Sequence, residues 1–95
     1  MNNKQIIEHL VKTNDPKFNL LKAAEELQEL SLSLTQKLTK EDKFDDQKII
    51  DEIGDVIIRM RILRKMFDRD KIKSRINYKF GKFQSYINNK SYKQI

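Results

Sequence analysis

"QKIIDEIGDVIIRMRILRKMF", residues 47–67, decides the fold class. Ile49, Ile50, Ile53, Val56, Ile57, Met60, Leu63 and Phe67 recur at the three- and four-residue intervals of a helix face. The stretch makes a helix of about six turns. A helix this apolar is held by packing and not by its own propensity, so it demands neighbours. The polar "TKEDKFDDQ" before it reads as a loop, with Asp45 or Asp46 as N-cap, and "DRD" after it breaks it.

The neighbours lie on either side. Upstream, a helix is expected from about Lys17 to Leu38, with Leu20, Ala24, Leu27, Leu34 and Leu38 at helical spacing. Asp15-Pro16 signals its start, and a shorter helix, about Asn3 to Lys12, precedes it with Ile6, Ile7, Leu10 and Val11 on one side. Downstream, a basic and aromatic helix is expected from Lys71 to about Ile87, and "NNKSYKQI", 88–95, reads as a frayed tail. Two glycines and one proline in 95 residues leave little turn chemistry for a sheet. The expected fold is all-α: one domain, an antiparallel four-helix bundle, whose core a second copy would complete.

Charge is divided along the chain. Met1 to Ile58 carries 8 Lys/Arg and 12 Asp/Glu, whereas Arg59 to Ile95 carries 12 and 2. Such a division suits nucleic acid, a phosphorylated small molecule held with a metal, or simple attraction between the two parts. The absence of cysteine excludes disulfides and thiolate metal sites. "MNNKQIIEHL" lacks the apolar core of a signal peptide and no apolar run is long enough to span a bilayer, so a cytoplasmic protein without a membrane partner is expected.

Within the central helix, Glu52 and Asp55 stand three residues apart, on a stripe shared with Arg59, Leu63 and Met66. Glu26 and Glu29 repeat that spacing in "AAEELQELSLSL", residues 23–34. An i, i+3 pair lies on one face a turn apart, so both carboxylates can reach one ion. Beside apolar stripes, uncompensated carboxylates are costly, and a divalent cation or a buried basic group would offset the cost. An all-oxygen donor set selects a hard cation, Mg²⁺ or alternatively Mn²⁺. The single histidine, His9, is distant and no Glu-x-x-His pair is present. Gly54, in mid-helix between the two acids, costs about 1 kcal/mol against alanine and calls for close helix packing or a close ligand.

These residues carry a resemblance. "EELQE", 22 intervening residues and "EIGD" resemble the EExxE…ExxD signature of the MazG-like, all-α NTP pyrophosphatase superfamily. The flanking "LLKAAEELQELSLSLTQKL" and "IIDEIGDVIIRMRILRKMF" are similar to the two central helices of compact, often phage-borne members, and the likeness covers roughly Asn19 to Phe83. It implies a Mg²⁺-dependent hydrolase that converts a nucleoside triphosphate into the monophosphate and pyrophosphate by attack of activated water at the α-phosphorus. It puts Glu26, Glu29, Glu52 and Asp55 on metal-ligand positions, and Glu25 on a catalytic carboxylate that assists a further metal or the water. It gives Asn77, Lys79 and Lys82, and more weakly Lys37, contact with the phosphates. It also implies a homodimer or homotetramer, with Phe18, Met60, Met66, Phe67 and Phe80 as candidate contact residues; a phage-encoded member would act in the host cytoplasm.

The chain departs from that family in two respects. The first helix has no Trp and little aromatic content to hold a base, and Lys82 stands where many relatives carry arginine, which binds phosphate in two-pronged fashion. The other class of reading is a non-catalytic helical module that binds nucleic acid or serves assembly. The basic, aromatic "RMRILRKMFDRDKIKSRINYKFGKF" fits it, but the four acids would then have no role.

Overall fold

A computed structural model describes residues 1–40 and 44–90. Four helices follow one another: α1 (Asn3–Thr13), α2 (Pro16–Lys40), α3 (Asp46–Met66) and α4 (Arg69–Asn89). The described residues contain no strand, and no helix is long and apolar enough to cross a membrane. Residues 41–43 of the expected loop and 91–95 of the expected tail lie outside the description.

Each helix begins where a side chain can satisfy its free N–H groups. The Asn2 side chain accepts from the Gln5 N–H at 2.8 Å, and the Gln5 side chain accepts from the Asn2 N–H at 2.9 Å, a reciprocal capping box. Asp15 accepts from the Lys17 N–H at 2.9 Å, ahead of Pro16 in the first turn of α2. Asp45 caps α3 through the Gln47 N–H at 2.9 Å. Asp68 caps α4 through the N–H groups of Asp70 and Lys71. That last cap corrects the expected start of α4, which is Arg69 and not Lys71. The other end is corrected too: Asn88 and Asn89 belong to α4, which stops at Lys90 in a left-handed conformation, φ 50°.

α3 is the centre of the molecule. α2 packs along it, α1 packs on it, and α4 meets the rest of the chain chiefly through it. The Lys37–Asp46 ion pair, 2.9 Å, holds the end of α2 beside the start of α3, so the two form an antiparallel hairpin. Asn19 is buried at the α1–α2 corner, where it accepts from the Asn14 side chain at 2.9 Å and donates to the Leu10 carbonyl at 3.4 Å.

The core is small. Among the described residues, Ile7, Ala23 and Ile62 are the buried apolar ones, and Asn19 and Ser33 the buried polar ones. α4 buries no residue fully. The face of α2 turned to α3 carries Asn19, Ala23, Glu26, Leu30 and Ser33. The leucine stripe that the spacing picks out, Leu20, Leu27, Leu34 and Leu38, is exposed instead. Ile50, Ile53, Ile57 and Met60 of α3 are exposed as well. At about 100° per residue, both stripes are turned by roughly a quarter-circle or more from the inward acids, in the same rotational sense. Because the helices run antiparallel, the two stripes emerge on the same side of the hairpin.

Candidate metal centre

The hairpin brings the two acidic pairs together. Glu26 comes from the inward face of α2, Glu52 and Asp55 from the inward face of α3. One carboxylate oxygen from each of the three lies within 4.8 Å of the others. Glu26 and Glu52 are half-buried, and Asp55 is exposed. Oε2 of Glu26 and Oε2 of Glu52 are buried without a hydrogen-bond partner among the described residues. Ser33, two turns beyond Glu26 on the same face, has a buried Oγ in the same condition.

Electrostatics follow from this placement. Glu26 titrates above its ordinary value of 4.5, first because burial disfavours the anion and then because Glu29, Asp55 and Glu52 repel it. Glu52 is raised too, first by burial and then by Glu29 and Asp55, with Lys48 partly opposing. Among the described residues no Lys or Arg forms an ion pair with Glu26, Glu29, Glu52 or Asp55. The cluster is therefore a concentration of negative charge that no ion pair among the described residues neutralises, Lys48 offsetting it only in part.

Such an arrangement fits a hard divalent cation. The donors are all carboxylate oxygens, two of them, Oε2 of Glu26 and Oε2 of Glu52, buried and without a hydrogen-bond partner among the described residues, and they converge from two helices. Glu29, expected as the fourth ligand, is exposed and lies outside the group of three, yet its carboxyl raises both Glu26 and Glu52, through its charge and through a side-chain hydrogen bond with each.

The remaining expected residues stand elsewhere. Glu25 is exposed and pairs with Lys22 at 3.2 Å. Lys37 pairs with Asp46, about 12 Å along α2 from Glu29. Asn77, Lys79 and Lys82 lie on α4. There Lys79 covers the Phe83 ring at 5.5 Å and Lys82 the Tyr78 ring at 5.6 Å. Gly54 has nothing within 4 Å of where a Cβ would stand, so close helix packing within the chain does not account for it.

Sequence reasoning overlooked Asn19, Ser33 and Ile62. The signal was available: Asn19, Glu26 and Ser33 repeat at seven residues, the same interval as the leucines, but the polar stripe was outweighed by the apolar one. Comparison with protein-family models, curated proteins and solved structures finds no match for this chain.

Proposed function

We propose that this chain is a Mg²⁺-dependent nucleoside triphosphate pyrophosphohydrolase, releasing the nucleoside monophosphate and pyrophosphate in a cytoplasmic setting. One observation carries the reading: two buried carboxylate oxygens, Oε2 of Glu26 and Oε2 of Glu52, converge with Asp55 and have no hydrogen-bond partner among the described residues. Uncompensated buried charge is expensive, and a bound divalent cation is the simplest compensation. Glu26, Glu52 and Asp55 would hold the cation, with Glu29 adding negative charge beside them. When bound, such an ion lowers the pKa of water and offsets charge on phosphoryl oxygens. The carboxylates fix where that charge sits, and the inward faces of α2 and α3 keep them from relaxing apart.

Assembly belongs to the same reading. The chain exposes 7963 Å², against about 5,800 Å² for a compact monomer of this mass. Its radius of gyration is 16.9 Å, against about 12 Å for a compact chain of this length. Many large apolar residues are exposed, and the face made by Leu20, Leu27, Leu34, Ile50, Ile53 and Ile57 is two helices wide. A second copy laid on that face would complete a four-helix core from two hairpins, with an interface in the obligate range. Asn77, Lys79 and Lys82 lie on α4, outside that face, and nothing in the arrangement of α4 supports a phosphate-binding role for them.

The test is a panel of all canonical ribo- and deoxyribonucleoside triphosphates with Mg²⁺, read as monophosphate plus pyrophosphate. Turnover of at least one, abolished in Glu52→Gln with helicity and oligomer size intact, is the expected result. No turnover of any triphosphate at micromolar protein would sink the reading. The exposed basic and aromatic α4 favours the other class, nucleic-acid binding. Steeply salt-dependent oligonucleotide binding without turnover would support it instead.

A further inference from the structure

A second cluster of like charge lies on the opposite side of α3 from the carboxylates. Lys4 and Ile7 of α1, Arg61, Arg64 and Lys65 of α3 and Arg69 of α4 line a cavity of about 350 Å³. Ile7, buried, forms its apolar floor. The other five lining residues are all cations, and none of the described lining residues is a carboxylate. None of the five forms an ion pair among the described residues. The acid next to Arg69, Asp68, is committed to capping α4 through the N–H groups of Asp70 and Lys71.

Helix dipoles explain only part of this. Arg64 and Lys65 sit in the last turn of α3, where a cation is favoured. Lys4 and Arg69 sit in the first turns of α1 and α4, where a cation is opposed. Three elements thus converge their positive charges on one concavity, two of them against their own dipoles. Mutual repulsion makes the empty cluster a cost to stability, which a bound anion would remove.

We propose that this cavity is a second, metal-independent anion site that takes a compact polyphosphate: free pyrophosphate or tripolyphosphate, or the phosphate chain of a nucleotide. Three guanidinium groups suit phosphate oxygens, which they can bind in pairs of parallel hydrogen bonds. A concave site lined from three elements suits a short polyanion better than an extended nucleic-acid backbone, which tracks a stripe or groove. Arg61 to Lys65 lie about 9–15 Å along α3 from Asp55 and on another face, so this site does not include the carboxylates. It stands independently of the hydrolase reading.

The experiment uses the full chain in EDTA, so that no divalent cation contributes. Calorimetry measures binding of sodium tripolyphosphate, pyrophosphate, a nucleoside triphosphate and single-stranded DNA to the wild type, to Arg61→Gln/Arg69→Gln and to Glu52→Gln. Tripolyphosphate is expected to bind the wild type, to bind the double variant about tenfold or more weakly, and to bind Glu52→Gln as it binds the wild type. The unliganded double variant should melt no lower than wild type, which shows that it folds. A triphosphate bound like tripolyphosphate assigns the site to the phosphate chain alone; one bound more tightly, with the same loss in the double variant, extends the site to the nucleoside. No tripolyphosphate binding at millimolar concentration, binding retained in the double variant, or arginine-dependent binding of DNA alone would overturn the proposal.

Discussion

Glu26 and Glu52 both titrate above 4.5, and the sign of the consequence is fixed by that direction. Between 4.5 and the raised values the folded chain binds more protons than the unfolded one, so the metal-free protein loses stability as pH rises through that window. Thermal melts in EDTA should therefore show a falling contribution from these two groups on going from acid to neutral pH. Excess Mg²⁺ should raise the midpoint at neutral pH and do little where the carboxylates are protonated; a Mg²⁺ effect equal at both pH values would count against the centre. The buried polar residues away from the acids act differently. Asn19→Ala leaves the Asn14 side-chain amide without its acceptor and takes one of two donors from the Leu10 carbonyl, which keeps the Asn14 N–H, and should cost about 1–3 kcal/mol in chemical denaturation. Ser33→Ala removes a buried hydroxyl with no partner and should stabilise by about 1 kcal/mol.

Among the elements, α3 tests the helix reading most directly. A Cβ at Gly54 meets open space, so Gly54→Ala should stabilise the metal-free protein by up to about 1 kcal/mol through helix propensity alone. A loss of stability would show that something packs there in solution. Helix existence was legible from spacing because Ile, Leu and Met recur at three and four residues throughout α3. Helix starts were legible wherever Asp preceded the run, as at Asp15 and Asp45; Asp68 does the same, but "DRD" read as an interruption. The acidic pairs were legible because a carboxylate repeat of three is a surface pattern that two neighbouring helices can bring into register. Inward and outward faces were not. Hydrophobic periodicity finds whichever stripe is apolar, and in α2 the apolar stripe is turned about a quarter-circle from α3 and is exposed. The basic cavity was hidden for another reason: Lys4 and Arg61 are far apart in sequence, and only the docking of α1 on α3 makes them neighbours.

For the molecule as a whole, the outward stripes dominate. Leu27→Glu or Ile53→Asp puts a charge at the centre of the exposed apolar face and should convert an oligomer into a monomer, read by light scattering after gel filtration. Wild-type protein that runs as a monomer throughout would remove assembly from the functional reading. The small interior described above also has a kinetic meaning. With only Ile7, Ala23 and Ile62 buried as an apolar core among the described residues, one chain has little to gain by folding alone. If two chains must meet before either is stable, folding is a second-order process. Its midpoint should then climb with protein concentration, and dilution alone should unfold it. Copy number in the cell would decide how much of the protein carries an ordered carboxylate cluster, and expression level would act as a switch without any ligand.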